Sequence, residues 1–406
     1  MASRGFTVRL RAFSAIDRYL GRLPPFVFLE TDAALSDLAR LFEGLRFPGA
    51  ALADAAVERE GRDYFFRCLD GDSPAPDFAC RLLRFTQDWK TGRFYDPCGF
   101  YPLLRRLRDR ERAAGKRPRR RVFGRDSLEE GIPPWWEGIH RAESRVQAAM
   151  EGALILARYC PGDSPSCSPK GRELAELAAL IERLPSAPSP GTEEFRLLLG
   201  ALLDSPGPDL GFEFLKATGF IGEFWPELAI LDDVDHSKEF HPEGNVWSHT
   251  METFRYRKAA PGGRAAYDLR LSLGLLLHDA GKPMAASSGN HRFEAHAELG
   301  ARQARRFLDR LGFGEALVRD VVWLVRNHML PAALPRLPLI RTREIMESPL
   351  FPLLMELYRC DESSSFKGLD GYYESSAAYQ AYLKHRRNPY RTAEGRKIGR
   401  RELLNR

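Results

Sequence analysis

The sequence predicts an α+β protein that is mostly α-helical, with a small α/β domain first, a helical neck next and an all-α domain last. Three observations support this fold class. Short strand-like and helical stretches alternate up to about residue 104, the pattern turns helical from about residue 139, and it stays helical between loops over 226–380. A chain of 406 residues is also too long for one ordinary core, so two or three domains are expected.

The first 104 residues carry the strand signals. The runs PFVFLET, RDYFFRCL and RFYDP are strand-like, and AALSDLARLFEGL lies between the first two with helical spacing. This alternation predicts a small α/β head over residues 1–104. A basic linker over 105–138 is expected next, because eleven Arg or Lys residues fall within 105–125.

The rest of the chain shows no strand signal. Helical segments separated by Pro/Ser-rich joints predict a helical neck over 139–230. A second helical domain is expected over 231–380, followed by a basic tail over 381–406.

The composition describes a globular chain and excludes several classes of protein. Hydrophobic residues make up 44% and charged residues 29% of the chain. No apolar run approaches the roughly 20 residues of a membrane-spanning helix, and the N-terminal stretch does not resemble a secretory signal. The six cysteines include no CxxC pair, as expected of reduced thiols. We therefore expect a cytoplasmic protein with no membrane partner. The net charge of +6 does not by itself identify a partner.

Histidines are concentrated in the second helical domain, where seven of the nine lie between His236 and His328. A lone histidine at a helix end is usually a cap or a half-buried surface residue. The series is more informative, because five separate segments present imidazole or carboxylate groups at predicted helix ends. Such a set suits manganese, iron, nickel or magnesium. The candidate ligands are His249, His278, Asp279, His296, His328 and Asp361.

The apolar run LSLGLLLHDAGKP (271–283) suggests how one pair of ligands is presented. Adjacent His278 and Asp279 project about 100° apart on a helix, so both reach one ion only from the helix end. Gly281 and Pro283 are expected to end the helix at this point. The leucines would then anchor the helix in a core while its last turn presents the ligands.

The order H…HD…H…H…D resembles that of the HD-domain superfamily of metal-dependent phosphohydrolases. The resemblance implies a helical HD fold for the second helical domain and a divalent ion in its core. The ligands that it implies for this ion are His249, His278, Asp279 and Asp361.

The same resemblance implies a second ion and a catalytic role for two residues. His296 and His328 would help to bind the second ion where two are present. Lys282, in HDAGK, would lie near the substrate phosphate. Metal-activated hydroxide would attack phosphorus, while Asp279 orients the water and Lys282 offsets the developing charge.

A narrower resemblance covers most of the chain. EFHPEGNVWSHTMETF (239–254) is similar to the start of the HD domain in bacterial tRNA nucleotidyltransferases and poly(A) polymerases, and RFEAHAELGARQARRFLDRLGF continues the likeness. Residues 191–228 resemble the helical region before that domain. QDWKTGRFYDPCG (87–99) resembles the end of the nucleotidyltransferase head. FLETDA (28–33) lies where the family's strand carries two metal-binding aspartates.

The head departs from the family pattern at its own site. The family uses a Gly-Gly-x-x-R phosphate loop followed by a DxD pair, whereas this chain has one glycine near the loop position. Phe26 and Phe28, or Phe28 and Glu30, occupy the expected carboxylate positions. Phenylalanine cannot ligate magnesium. We therefore predict a degenerate nucleotidyltransferase-like head that is inactive in polymerisation, with Glu30 and Asp32 as the residues that would contradict this prediction.

Three functions remain open from the sequence. The first is an HD-type metal-dependent phosphohydrolase, a phosphodiesterase or phosphatase acting on a nucleotide or an RNA-terminal phosphate. The second is an RNA 3′-end nucleotidyltransferase with an unorthodox head, and the third is a non-catalytic RNA- or nucleotide-binding protein. The expected partner is a nucleotide or RNA, with tRNA as one candidate, and His241 and Asn245 are candidate substrate-binding residues. The residues leave open which metal is bound, whether one or two ions are present, and the oligomeric state.

Overall fold

The computed structural model contains two compact units. Unit 1 comprises Met1–Leu197 and Glu213–Phe220, and unit 2 comprises Leu198–Phe212 and Ile221–Arg406. The five-part division of the chain inferred from the sequence stays a prediction. The structure describes residues 1–22, 26–48, 53–69, 83–96, 99, 101, 104–105, 107–109, 144–160, 172–186, 189–234, 244–259, 267–287, 295–365, 368–386, 390 and 397–399.

Unit 1 contains a six-stranded mixed sheet. Its strands are β1 (Val8–Arg11), β2 (Phe26–Thr31), β3 (Ala55–Arg59), β4 (Arg62–Cys68), β5 (Thr86–Asp88) and β6 (Phe94–Tyr95). The spatial order is β3-β4-β2-β1-β5-β6. The β2–β4 pair is parallel and the other pairs are antiparallel.

Side-chain alternation gives strand β2 two different faces. Val27 and Leu29 are buried on one face of the sheet, and Phe26, Phe28 and Glu30 alternate with them. The apolar alternation of these residues explains why the segment forms an inner strand.

Helices make up most of the remaining described chain. In chain order they are α1 (Ala12–Leu20), α2 (Leu35–Leu41), α3 (Arg145–Tyr159), α4 (Arg172–Glu182), α5 (Thr192–Leu203), α6 (Pro208–Ala217), α7 (Phe220–Phe224), α8 (Pro226–Ala229), α9 (Val246–Thr253), α10 (Leu269–Leu277), α11 (Lys282–Ser287), α12 (His296–Arg310), α13 (Glu315–Asn327), α14 (Leu330–Ala333), α15 (Leu339–Met346), α16 (Phe351–Ser363) and α17 (Asp370–Arg386). Short 3₁₀ turns span Ala2–Arg4, Phe254–Tyr256 and Leu334–Arg336. A small sheet within a largely helical chain confirms the α+β, mostly helical class. Among the described helices, none is long and apolar enough to cross a membrane.

Helix α10 lies at the centre of unit 2. Every residue from Leu271 to Leu277 is buried, and the helix packs against α13 and α16. A Cβ added at Gly274 would lie 2.9 Å from a methyl carbon of Leu357, so this glycine permits the close approach of α16. The apolar run of the sequence is therefore a central helix, and the ligand pair that follows it begins in the core.

Candidate metal centre

Six side chains predicted as ligands come together in unit 2. Helices α10, α13 and α16 each carry a candidate ligand in the last turn or directly after it. Helix α9 and the start of α12 pack beside these helix ends and carry the other two ligands. The six are His249 within α9, His278 and Asp279 directly after α10, His296 as the first residue of α12, His328 directly after α13, and Asp361 in the last turn of α16.

A first group of ligand atoms surrounds one carboxylate oxygen of Asp279. The Nε2 atom of His278 lies 3.2 Å from Asp279 Oδ2 and 3.4 Å from Nε2 of His249. Asp361 Oδ1 lies 3.0 Å from Nε2 of His249 and 3.9 Å from Nε2 of His278. Two imidazoles and two carboxylates therefore share one small volume.

A second group lies at the other oxygen of the same carboxylate. Asp279 Oδ1 is 3.7 Å from Nε2 of His296 and 3.9 Å from Nε2 of His328. The two ring nitrogens are 3.1 Å apart. Each triad, His249–His278–Asp279 and Asp279–His296–His328, has one ligand atom per residue, all within 4.8 Å of one another. Asp279 thus connects two adjacent ligand groups through its two oxygens.

Main-chain carbonyls fix the orientation of two of the four imidazoles. The Nδ1 atom of His278 lies 2.8 Å from the carbonyl oxygen of Leu275, and Nδ1 of His328 lies 2.7 Å from that of Val325. A carbonyl only accepts hydrogen bonds, so each Nδ1 carries the proton and Nε2 carries the lone pair. Both Nε2 atoms face the cluster, which is the arrangement of metal-binding histidines.

The electrostatics of the cluster favour the protonation states that metal binding requires. Burial and the nearby charge of His278 together lower the pKa of His328 to about 4, although the charge of Asp279 opposes them. Burial raises the pKa of Asp361, but the hydrogen bond with His249 and the charge of His278 outweigh burial and hold that pKa well below its usual value. A neutral imidazole and an ionised carboxylate are both ready to bind a cation.

The donor set fits a divalent metal ion. Buried imidazole nitrogens and carboxylate oxygens face one another at short distances without cysteine, a combination typical of manganese, iron, nickel or magnesium sites. Lys282 adds a buried positive charge at the edge of the cluster, with Nζ 2.6 Å from Asp279 Oδ2. These residues can therefore hold a divalent cation beside a lysine suited to an anionic substrate.

A tight contact between two backbone segments positions His296. A Cβ added at Gly281 would lie 1.9 Å from the carbonyl oxygen of His296 and 2.4 Å from the nitrogen of Gly300. Ala295, which precedes His296, has a left-handed φ of 64°. This contact was not predicted from the sequence, although glycine at both Gly281 and Gly300 is the signal of a close approach.

Pro283 does not end the helix that carries the pair. Helix α10 ends at Leu277, and Pro283 is the second residue of the next helix, Lys282–Ser287. Proline is tolerated in a first helical turn, where the backbone N–H needs no helical partner.

Of the two predicted substrate-binding residues, only Asn245 lies within the described part of the chain. His241 lies outside the described residues. Asn245 is the N-cap of α9, and its side chain accepts a hydrogen bond from the Ser248 N–H at 2.8 Å. Its amide group also donates to Asp232 at 2.8 Å. A role for Asn245 in substrate binding stays a prediction.

Two of the three residues that the sequence places at the expected carboxylate positions of the head, Phe26 and Phe28, pack against apolar neighbours. Phe28 stacks on Phe65 with ring centroids 5.1 Å apart. The ring centroid of Phe26 lies 6.2 Å from that of Phe65. These three phenylalanines pack together with Ala53 and Ala56.

The two acidic residues near this position are engaged by other groups. Glu30 is buried and pairs with Arg9 at 3.6 Å and with Arg11. Asp32 accepts a hydrogen bond from the N–H of Thr7 at 2.8 Å. Within the described residues, the only groups of three or more potential metal ligands are the two triads that share Asp279.

Comparison with known proteins places these observations in a family. The family model for the HD domain matches residues 246–361, a range that includes all six candidate ligands. The chain is 30% identical over 308 residues to the CC-adding tRNA nucleotidyltransferase of Thermus thermophilus, a match that covers 70% of this chain and 68% of that protein. It is 32% identical over 127 residues to the multifunctional CCA protein of Halorhodospira halophila, covering 31% of this chain and 29% of that protein.

A solved structure was also found. The CCA-adding enzyme of Bacillus stearothermophilus in complex with CTP aligns with a TM-score of 0.47 and 13% sequence identity. The alignment covers 96% of this chain and 81% of that chain.

Proposed function

This chain belongs to the tRNA nucleotidyltransferase family, and from that premise we propose that its HD domain is a metal-dependent phosphohydrolase acting on a nucleotide or an RNA-terminal phosphate. The observation that carries the proposal is the geometry of Asp279, whose two oxygens each face a pair of histidines. A carboxylate shared in this way suits two adjacent divalent cations. Structural metal sites more often recruit cysteine, and carboxylate-rich sites are more often catalytic.

The chain's own residues supply most of the requirements for phosphoester hydrolysis. When bound, a divalent cation would polarise a phosphate oxygen and lower the pKa of water. Asp279 would orient the attacking water through a carboxylate lone pair that is not used to bind a cation. Lys282 lies close enough to Asp279 to place its ammonium group against the phosphate and offset the charge that develops in the transition state.

The burial of the cluster supports catalysis by the same residues. His249, His278 and Asp279 are each at most 2% exposed, whereas the side chain of Asp361 is 24% exposed. Charges interact more strongly in a site from which water is largely excluded. Asp361 therefore marks a side of the site that solvent, and a substrate phosphate, can reach.

Hydrolysis assays test this proposal directly. The full chain loaded with Mn²⁺ is expected to hydrolyse bis(p-nitrophenyl) phosphate or 2′,3′-cyclic nucleotides, and Asp279→Asn is expected to abolish turnover. Asp309→Asn changes an exposed carboxylate on α12 and serves as the matched control. Equal turnover by Asp279→Asn and Asp309→Asn would refute the proposal.

A second candidate is RNA 3′-end nucleotidyl transfer, because the relative from Thermus thermophilus carries that activity in its name. The apolar packing of Phe26 and Phe28 argues against it, since neither side chain can bind magnesium. We expect no incorporation of labelled CTP or ATP into tRNA that lacks its 3′ end. Incorporation would establish the second function, whereas tight RNA binding without either activity would identify a binding protein.

A further inference from the structure

A hydroxyl group lies directly behind the first ligand group. Ser364 follows α16, three residues after Asp361, and is buried with 8% exposure. Its Oγ donates a hydrogen bond to the carbonyl oxygen of Asp361 at 2.6 Å. The hydroxyl proton is therefore directed at the segment that carries one ligand.

The same oxygen contacts a second ligand. Nδ1 of His249 lies 3.3 Å from Ser364 Oγ. Since the hydroxyl proton points to the Asp361 carbonyl, an oxygen lone pair is available to accept a hydrogen bond from Nδ1–H. Nε2 of His249 then carries the lone pair that faces Asp361 and His278.

We propose that Ser364 is a positioning residue that holds His249 in the tautomer required to bind a cation, an inference that rests on the metal site of the proposed function. His278 and His328 obtain the same orientation from main-chain carbonyls, which no side-chain substitution removes. The corresponding bond of His249 involves a side chain, so it can be removed by mutation. Ser364 also connects His249 to the Asp361 backbone, so one hydroxyl fixes two ligands relative to each other.

The neighbouring serines provide matched controls. Ser363 Oγ donates to the carbonyl of Arg359 at 2.6 Å, and Ser365 Oγ donates to the carbonyl of Glu362 at 2.9 Å. Both resemble Ser364 in their hydrogen bond to the preceding helical turn. Neither of these bonds involves a candidate ligand.

The test is a titration of the metal-free full chain with Mn²⁺, in wild type and in Ser364→Ala, Ser364→Thr and Ser365→Ala. Loss of a hydrogen-bond partner behind a ligand typically weakens metal binding about 10- to 100-fold, and we expect this loss in Ser364→Ala. Ser364→Thr keeps the hydroxyl and is expected to bind within a few-fold of wild type, as is Ser365→Ala. Thermal unfolding of each variant separates weaker binding from a loss of folded protein.

Each outcome has a distinct meaning. Equal Mn²⁺ affinity in Ser364→Ala and Ser365→Ala would overturn the inference about Ser364 and leave the proposed function intact. Another outcome is that the wild type binds Mn²⁺ but hydrolyses nothing, while Ser364→Ala binds Mn²⁺ more weakly. This result would support the inference and refute the proposed function. Absence of Mn²⁺ binding by the wild type would overturn both.

Discussion

Substitution of Gly281 by alanine tests how the second ligand group is built. The added Cβ would lie 1.9 Å from the carbonyl oxygen of His296, whereas real Cβ contacts are essentially never shorter than 3.0 Å. Both neighbours are backbone atoms, so no side chain can rotate away. The turn after α10 and the start of α12 must separate by about 1 Å, at a cost of at least about 1–3 kcal/mol of folding free energy.

The separation should affect one ligand group more than the other. His296 belongs to the segment that must move, whereas His249 and Asp361 lie on α9 and α16. Metal–ligand distances tolerate only about 0.2 Å, so a displacement of about 1 Å is expected to prevent His296 from binding the same cation as Asp279. The two-ion arrangement proposed above therefore predicts two Mn²⁺ ions in the wild type and one in this variant.

Metal analysis after gel filtration, combined with urea unfolding, measures both effects. Gly200→Ala is a suitable control, because it lies inside α5 and no atom lies within 4 Å of the added Cβ. That variant should keep the wild-type stoichiometry without loss of stability. If Gly281→Ala bound two Mn²⁺ ions with wild-type affinity, the close backbone contact would not be what positions His296.

Three further predictions concern single groups. The low pKa of buried His328, about 4 against 6.5 in the unfolded chain, contributes stability that is fully present above about pH 6.5 and is lost as the pH falls towards about 4. Urea unfolding of the metal-free protein should therefore lose up to about 3 kcal/mol over this range, and His328→Gln should remove that part of the pH dependence. Cys360 is buried, and burial raises the pKa of its thiol to about 12, so iodoacetamide at pH 8 should modify it only after denaturation, as measured by mass spectrometry. Ala295→Gly should stabilise the fold by about 1 kcal/mol because it relieves a left-handed φ of 64°, while Ala297→Gly, inside α12, should destabilise it by a similar amount; the same sign for both would refute the strain argument.

The candidate ligands could be identified from the sequence because each lies in a recognisable local pattern. The leucines of α10 predict a buried helix, and a His-Asp pair directly after such a helix is costly unless it binds something. The order of the remaining histidines and Asp361 then made the family resemblance specific. The helical segments of unit 2 and three strands of the head were also evident from periodicity and composition.

Other features depend on tertiary contacts that local sequence patterns do not predict. Strand β1 carries alternating arginines, Val8–Arg11, and forms because β2 and β5 pair with it on both sides. Helix α11 is six residues long, too short for its sequence KPMAAS to show a helical period. Ser364 stands among several serines, and only the folded position of His249 distinguishes it from Ser365.

Three of the ligand-bearing helices, α10, α13 and α16, point their carboxyl ends at the cluster. Peptide dipoles sum along a helix to roughly half a negative charge at that end. The backbone itself therefore makes the electrical potential at the centre more negative, in addition to the charges of the two aspartates. Lys282 offsets only part of this negative potential. Under the proposed function, cations are therefore expected to bind before the anionic substrate.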